Sequence, residues 1–356
     1  MSRADRAAAA LEERELDALL VTDLVNVRYL TGYTGSHGIA LIGPGEKRCF
    51  LTDFRYVTQA EQEVVGFERT IGENDLLEEV VAAVPEGDVR LGYEEDHVSV
   101  RTYDRLRELL PLSVELVGAG PVLERLRVVK EPGEVARIRA AAELADVALS
   151  TTVAAGLAGR TERAVALALE DEMRRLGAQR PSFDTIVAHA EHGALPHATP
   201  RDVEIASGTL VTIDWGAELD GYCSDCTRTF AVGEPGERAR ELYALVARAQ
   251  LAGLEAVGPG VPGKDADAAA RDVIEAAGYG EQFGHGLGHG VGMEIHESPR
   301  LSRASTATLA AGHVVTVEPG VYLPGELGIR IEDLVLVTES GHELLTGLSK
   351  ELTVVD

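Results

Sequence analysis

Short apolar runs alternate with segments of helical period in the first third of the chain. The apolar runs predict strands at residues 16–23, 37–43, 47–53 and 88–94. The periodic segments predict helices at residues 54–65, 75–84 and 99–110. Pro111 stops the last of these helices because its ring and missing N–H do not fit a helix interior. Alternation of this kind is typical of a compact α/β domain.

The remainder of the chain shows pairs of helices, each followed by segments that are mostly strand-like. Amphipathic helices are predicted at residues 134–155, 161–176, 237–257 and 265–277. Gly177 ends the second of them in the usual manner of a helix C-terminus. Because a helix pair followed by strands occurs twice, we predict an α+β half-barrel with internal pseudo-symmetry, without a repeat in the sequence itself.

Glycine and proline mark a boundary between these two patterns, within and just after residues 112–131. The turn-forming residues there are Gly118, Gly120, Pro121, Pro132 and Gly133. The length of 356 residues also exceeds what one hydrophobic core usually serves. We therefore predict two domains, residues 1–124 and residues 125–356.

Charge and cysteine content exclude several classes of partner. The net charge is 33 − 59 = −26, and so acidic a surface repels phosphate backbones and anionic lipids. Charges interrupt the first 20 residues, and no apolar run approaches the roughly 18 residues that span a bilayer. The three cysteines, Cys49, Cys223 and Cys226, cannot all pair. We expect a reduced, cytoplasmic protein that binds neither nucleic acid nor membranes.

Five residues of metal-ligand type lie in glycine-rich or strand-rich contexts of the second domain. They are Asp214, Asp225, His289, Glu318 and Glu332. A carboxylate can bridge two cations, and four negative charges can neutralise two divalent ions. Four carboxylates and one imidazole therefore suit a pair of divalent ions, and the set predicts a two-metal hydrolytic site.

Two predicted hairpins bring the carboxylates together. Asp220-Gly221 is a two-residue turn signal that pairs Asp225 with Gly216, diagonal to Asp214 on the same face. A second turn signal, Pro324-Gly325-Glu326, brings Glu318 and Glu332 close to one another. Arg330, two residues before Glu332 on the same face, is expected to hold Glu318 or Glu332 in place.

Histidines surround these carboxylates in the sequence. Glycines flank His285 and His289 and leave room for ions or substrate, and His289 is the predicted ligand. His296 is expected to hydrogen-bond the scissile carbonyl oxygen as charge develops there. His197, in a loop after a strand, is expected to bind substrate or give a proton to the leaving amine. His285 is either a supporting group or a direct participant.

Two further features were considered, a pair of histidines and a pair of cysteines. His189 and His192 are predicted to be solvated loop residues. The spacing Cys223-x-x-Cys226 also admits a redox pair or a zinc knuckle. A second cysteine pair is missing from the sequence and the motif includes Asp225, so the metal-ligand interpretation of this segment is favoured.

Taken together, these segments resemble the pita-bread metallopeptidases, in the branch of proline dipeptidase (prolidase) and aminopeptidase P. The matching segments are SFDTIVA…ALPHATP, DWGAELDGYCSDCTRTF, HGLGHGVGMEIHE, TVEPGVY and IRIEDLVLVTE. RYLTGYTGSHGIAL resembles the creatinase-like N-terminal domain of that branch. The resemblance covers nearly the whole chain. It implies a pita-bread fold with pseudo-symmetric halves, preceded by a smaller α/β domain.

The resemblance also implies a homodimeric, cytoplasmic exopeptidase with two divalent ions, manganese first and cobalt or zinc as alternatives. Asp214 would bind one ion, Asp225 and Glu332 would bridge both, and His289 and Glu318 would hold the other. The catalytic residues would be His197, His296 and Glu318. The substrate-binding residues would be His197, His296 and Arg300. The ligands would be supported by His285 and Arg330.

Substrate length is left open by the resemblance. Arg300 matches a position where some prolidases bind the carboxylate of a dipeptide, or it is a solvated loop residue. We favour a dipeptidase that cuts before proline, with an aminopeptidase P acting on longer peptides as the alternative and a non-enzymatic binding protein third. The chain departs from the family pattern at Ala198, and at His189 and His192, where small or amide residues are more usual.

Overall fold

A computed structural model describes residues 1–45, 47–73 and 75–356 of the chain. The chain divides into two compact units, residues 1–127 and residues 128–356. Each unit has its own sheets and its own hydrophobic core.

The first unit is built on a mixed six-stranded sheet. In chain order its strands are β1 (Ala18–Val21), β2 (Ile39–Ile42), β3 (Arg48–Asp53), β4 (Glu68–Gly72), β5 (Val89–Tyr93) and β6 (Val114–Gly118). Across the sheet they lie in the order β4-β3-β2-β1-β5-β6. Strands β1, β5 and β6 run parallel, while β2 pairs antiparallel with both β1 and β3. The predicted α/β domain is confirmed.

Helices cover this sheet, and their ends follow from local sequence. They are α1 (Arg3–Glu12), α2 (Leu24–Thr31), α3 (Val57–Glu63), α4 (Leu77–Ala83), α5 (Val100–Leu109) and α6 (Val122–Val128). The Asp23 side chain caps α2 by accepting from the Val25 N–H, and Gly32 ends it at a φ of 82°. The core between helices and sheet includes Leu20, Leu51, Val80, Leu91 and Leu106.

The second unit contains two helix pairs and most of the strands. Its helices are α7 (Pro132–Ala154), α8 (Glu162–Leu176), α9 (Glu237–Ala256) and α10 (Gly263–Ala276). Its first group of strands is β7 (Arg180–Pro181), β8 (Ile186–His189), β9 (Thr209–Trp215), β10 (Ala217–Leu219), β11 (Tyr222–Cys223) and β12 (Cys226–Val232). Its second group is β13 (Gly288–Gly290), β14 (Glu297–Leu301), β15 (Val314–Val317), β16 (Gly320–Leu323), β17 (Leu327–Arg330), β18 (Asp333–Val337), β19 (His342–Leu344) and β20 (Val354–Val355).

Each helix pair of the second unit packs against a different set of strands. Helices α7 and α8 pack on the sheet β20-β12-β9-β8 around the buried Trp215, whose indole N–H donates to the carbonyl of Ala145 at 2.9 Å. Helices α9 and α10 enclose a second core with strands β15, β16, β17 and β18. The repeated arrangement confirms the predicted α+β architecture with two similar halves. Among the described helices, none combines the length and apolar character needed to cross a lipid bilayer.

Both predicted hairpins form, and the first has the expected register. Asp220 and Gly221 adopt φ values of 50° and 78°, which a two-residue turn of this type requires, and Leu219 pairs with Tyr222. The same register continues to the pair Trp215 and Cys226. In the second hairpin, Gly320 pairs with Arg330 and Val317 pairs with Asp333. Glu318 and Glu332 therefore lie opposite each other where the two strand pairs meet.

Candidate active site

One cavity of about 870 Å³ in the second unit contains all ten site residues expected from the sequence. They are His197, Asp214, Asp225, His285, His289, His296, Arg300, Glu318, Arg330 and Glu332. They come from strands of both halves and from the loops that follow them. The structure therefore brings together residues that are more than a hundred positions apart in the sequence.

Three carboxylates form the centre of the cavity. Asp214 near the end of β9, Asp225 before β12 and Glu332 between β17 and β18 have oxygens within 4.8 Å of one another. Burial, followed by repulsion from neighbouring carboxylates, raises the pKa of Asp225 and of Glu332 well above the usual range. Burial also raises the pKa of Glu318 to about 7. Such crowding of acids favours a bound cation.

Two carboxylate oxygens at this centre are buried without a hydrogen-bond partner, Asp214 Oδ1 and Glu332 Oε1. The other oxygen of each residue is held: Arg330 Nη2 donates to Asp214 Oδ2 at 2.6 Å, and Thr227 Oγ1 donates to Glu332 Oε2 at 2.7 Å. Each carboxylate is thus oriented by one oxygen and presents the other to the centre. Buried carboxylate oxygens are normally satisfied, so this arrangement fits ligands of a hard divalent ion.

The imidazole of His289 presents an unprotonated nitrogen to the same centre. Its Nδ1 lies 3.1 Å from the carbonyl oxygen of Gly290, which can only accept, so Nδ1 carries the proton. Nε2 then faces two acceptors, Glu318 Oε1 at 3.3 Å and Asp225 Oδ2 at 3.5 Å. Burial lowers the pKa of His289 to about 3, so the ring is neutral at physiological pH. A lone pair that faces two carboxylate oxygens is the geometry of a shared cation.

Arg330 orients carboxylates of this centre, but its contacts differ from those expected from the sequence. It was expected to hold Glu318 or Glu332, but its guanidinium donates to Asp214 of the other hairpin. It also donates through Nε to Thr227 Oγ1 at 3.1 Å, the hydroxyl that holds Glu332. The long side chain reaches across to β9 and β12 because β17 contacts both strands. Arg330 thus orients two carboxylates, one directly and one through a threonine.

Tyr322 is a residue of this network that sequence reasoning missed. Arg330 Nη1 donates to the Tyr322 hydroxyl at 2.9 Å, and the hydroxyl lies 2.9 Å from His285 Nε2. His285 Nδ1 faces the carbonyl of Gly286 at 2.8 Å, so Nε2 accepts the hydroxyl proton. His285 therefore acts through Tyr322 and Arg330, which favours the supporting role of the two considered. The only signal was a tyrosine four residues after Glu318.

The remaining cavity residues lie around the carboxylates and are open to the cavity. The His296 ring packs edge-on to His289, with 4.4 Å between ring centroids. The next residue, Glu297, forms a buried ion pair with Lys130 at 2.9 Å, which fastens the turn that carries His296. His197 and Arg300 are exposed side chains on the cavity wall.

The prediction that His189 and His192 are solvated loop residues was wrong. Both side chains are buried, and each directs its Nδ1 to the carboxylate of Glu162, at 2.8 and 3.0 Å. Glu162 is the first residue of α8, remote in sequence from both histidines. Nothing in the local sequence identified it as their partner.

The two cysteines beside Asp225 do not form a redox pair. Cys223 and Cys226 are both free and buried, and burial raises the pKa of each thiol. Their sulfurs contact different carbonyls, those of Met293 and Glu332, at 3.7 and 3.4 Å. The redox and zinc-knuckle alternatives have no geometric support here.

A buried set of carboxylates and one neutral imidazole, held between two like halves, defines a metal-dependent hydrolase. Residues 136–339 match the model of metallopeptidase family M24. Residues 3–129 match the creatinase/prolidase N-terminal domain. The chain belongs to metallopeptidase family M24 and has its pita-bread fold.

Similar proteins match over nearly their whole lengths. An uncharacterized peptidase, YqhT, of Bacillus subtilis is 45% identical over 96% of this chain and 96% of its own length. A solved Xaa-Pro dipeptidase from Bacillus anthracis is 40% identical, covers 99% of both chains and has a TM-score of 0.95. A solved X-Pro aminopeptidase from Thermotoga maritima is 37% identical, covers 98% of this chain and 100% of its own, and has a TM-score of 0.90.

Proposed function

We propose that this protein is a Xaa-Pro dipeptidase, which hydrolyses the bond between an N-terminal residue and proline with the help of two divalent ions. The observation that carries the proposal is the convergence of four carboxylates and the unprotonated Nε2 of His289 in one cavity. The resemblance of the sequence to prolidases and the Bacillus anthracis dipeptidase support the choice of substrate.

Five side chains would hold the ions. Asp214 would bind one ion, His289 and Glu318 the other, and Asp225 and Glu332 would bridge them. We favour manganese because four of these five ligands are carboxylates, with cobalt or zinc as alternatives. The bound ions would supply Lewis acidity, which polarises a carbonyl group and makes a water molecule more acidic near neutral pH.

The protein's own residues would do the remaining work. His296 would donate a hydrogen bond to the carbonyl oxygen as negative charge develops on it. Glu318 would accept a proton from the attacking water and pass it on. His197, also on the cavity wall, would protonate the nitrogen that leaves. That nitrogen belongs to proline and leaves as a secondary amine, so it must gain a proton when its bond to the carbonyl carbon breaks.

Arg300 would set the preference for dipeptides by pairing with the free carboxylate of proline. Its side chain is exposed on the cavity wall, and its strand neighbour in β13 is His289, so it lies one strand from the metal ligands. A second candidate function, aminopeptidase P activity on longer peptides, is supported by the Thermotoga maritima relative and by the size of the cavity.

Comparing Ala-Pro with Ala-Pro-Ala tests this choice. We expect kcat/KM for Ala-Pro to exceed that for Ala-Pro-Ala by at least about tenfold. Arg300→Met should lower kcat/KM for Ala-Pro by about 10–100-fold and change that for Ala-Pro-Ala much less, because only the dipeptide carboxylate lies within its reach. Arg303→Met is the matched control, since Arg303 pairs with Glu275 outside the cavity. Faster cleavage of the tripeptide would establish the aminopeptidase alternative.

Arg330→Lys tests the support of the ligands. Lysine keeps the charge but cannot contact Asp214, Tyr322 and Thr227 together, so metal affinity and kcat/KM should each fall about 10–100-fold. Metal titration by calorimetry and steady-state kinetics on Ala-Pro measure the two effects. Arg238→Lys, which changes an exposed pair with Glu326, should leave both unchanged. If Arg330→Lys bound metal with wild-type affinity, this would contradict the proposal that Arg330 supports the ligands.

We also propose that the protein acts in the cytoplasm as a homodimer on small peptides. The resemblance to prolidases supports the dimer, and the three free cysteines fit a reducing compartment. The strongly acidic composition argues against nucleic acid and anionic membranes as partners.

A further inference from the structure

Glu162 is a buried carboxylate that the proposed chemistry does not use. Glu162 is fully buried, with an exposure of 0%, and both of its carboxylate oxygens accept hydrogen bonds. Oε1 accepts from the His189 N–H at 3.0 Å, from His189 Nδ1 at 2.8 Å and from Arg201 Nη2 at 3.0 Å. Oε2 accepts from His192 Nδ1 at 3.0 Å, and from the N–H and Nε of Arg201 at 2.9 and 3.0 Å.

This carboxylate does not serve as the cap of its own helix. The N-terminus of α8 is capped by Thr161, whose hydroxyl accepts from the Ala164 N–H at 3.1 Å. The hydrogen-bond donors to the Glu162 side chain named above all belong to residues 189–201, which we call the histidine segment. The side chain of Glu162 is therefore directed at this segment and not at α8.

Glu162 stays ionised throughout the physiological range. Burial alone would raise its pKa, but the hydrogen bonds from Arg201 and the N–H of His189 outweigh burial and lower the pKa to about 2. Arg201 supplies the compensating positive charge. An ionised, buried carboxylate with charge-assisted donors on both oxygens holds its partners more firmly than neutral hydrogen bonds do.

The histidine segment is fixed at both ends by this one carboxylate, and its middle forms part of the cavity. His189 and His192 bind Glu162 at the start of the segment, and Arg201 binds it at the end. Between them, residues 196–200 line the cavity, and His197 is among them. The middle has one further attachment, because the Pro196 carbonyl accepts from Arg330 Nη1 at 3.2 Å.

We propose that Glu162 is the positioning residue for His197 and for the cavity wall on which His197 lies, with His189, His192 and Arg201 as its partners. This inference rests on the proposed function for its effect on catalysis. It also accounts for the burial of the two imidazoles at positions 189 and 192. His189 and His192 attach the histidine segment to the Glu162 carboxylate and do not contact substrate.

Glu162→Gln tests the proposal by two independent readouts. Hydrogen exchange of the histidine segment, residues 189–201, in the intact protein should accelerate at least about fivefold, while β9 and β12 keep wild-type exchange. The value of kcat/KM on Ala-Pro should fall about 10–100-fold with the bound metal per chain unchanged. Glu172→Gln, which breaks an exposed pair with Arg175 on the same helix, is the matched control and should change neither.

A double variant separates positioning from a general loss of stability. If Glu162 acts through His197, then adding Glu162→Gln to His197→Ala should lower kcat/KM little beyond His197→Ala alone. Additive losses, or wild-type exchange in the histidine segment, would overturn the proposal. If Glu162→Gln does not fold, Arg201→Lys, which keeps the charge but loses the paired contacts, should give the same pattern in weaker form.

Failure of the positioning role can be distinguished from failure of the proposed function. An inactive wild-type protein on Xaa-Pro peptides would reject the dipeptidase assignment. The exchange measurement then still decides whether Glu162 holds the histidine segment, because it does not require activity. An active wild-type protein with additive losses would reject the positioning role alone.

Discussion

Asp225→Asn is expected to lower kcat/KM on Ala-Pro by at least about 1,000-fold, on the order of 4 kcal/mol of transition-state stabilisation. One oxygen of Asp225 lies within 4.8 Å of an oxygen of Asp214 and of an oxygen of Glu332, and Asp225 Oδ2 lies 3.5 Å from His289 Nε2. An amide has one acceptor oxygen and no charge, so it cannot bridge two cations. Elemental analysis should find the bound ions reduced from two per chain to at most one.

The fold should survive this change. Burial and neighbouring carboxylates raise the pKa of Asp225, so its ionised form destabilises the metal-free chain, and asparagine removes that repulsion. Circular dichroism should match that of the wild-type protein. Asp220→Asn is the matched control, because Asp220 lies in the same hairpin but is exposed, and asparagine accepts its φ of 50°. Full activity in Asp225→Asn would contradict the bridging role.

Chelation of the ions is expected to destabilise the protein more at pH 8 than at pH 5.5. In the metal-free chain the pKa of Glu318 is about 7, raised by burial from an ordinary value of 4.5. A raised carboxylate pKa contributes stability below pH 4.5 that is lost as the pH rises through 7. The difference of 7 − 4.5 = 2.5 units corresponds to roughly 3 kcal/mol. The pKa values of Asp225 and Glu332 are raised as well, and they act in the same direction.

The buried histidines have the opposite effect: they make the protein less stable as the pH falls. Burial lowers the pKa of His285 to about 4 and that of His289 to about 3, so their stabilising effect is lost as the pH falls below 6.5. Protons also compete with ions for the ligands at low pH. Among the ligands, three carboxylates have raised pKa values and one histidine has a lowered pKa, so thermal melts with and without chelator should still differ by several degrees more at pH 8 than at pH 5.5. Equal shifts at the two pH values would contradict the proposed ligand set.

The centre of the site was predictable because turn chemistry fixes strand register. Asp220-Gly221 permits a two-residue turn, and that turn determines which residues pair along β9 and β12. Pro324-Gly325-Glu326 does the same for the second hairpin. Local sequence therefore carried enough information to place Asp214 near Asp225 and Glu318 near Glu332.

The supporting contacts were not predictable in this way, because each joins residues distant in the sequence. Glu162 meets His189 and Arg201 only after α8 packs against the sheet, and neither partner has a local signal for it. Arg330 was assigned to carboxylates near it in the sequence, whereas its guanidinium reaches Asp214 on the other hairpin. Only the packed chain reveals such partners.

Several elements of the first unit were also missing from the sequence-based prediction. Helices α1, α2 and α6 and strands β4 and β6 were not assigned. Strands β4 and β6 form the two edges of the sheet and are largely exposed or half-buried, so they lack the continuous apolar runs that identified the central strands. Edge strands depend on their neighbours more than on their own sequence.

The single guanidinium of Arg330 is shared between a carboxylate of the ion centre and the Pro196 carbonyl beside His197. The charge at the centre therefore affects how strongly Arg330 holds the loop that contains Pro196 and His197. Thermodynamic linkage makes this influence mutual. If a peptide binds against the loop and changes the affinity for ions by some factor, then the ions change the affinity for the peptide by the same factor. Loading with ions and selection of substrate are then one coupled equilibrium.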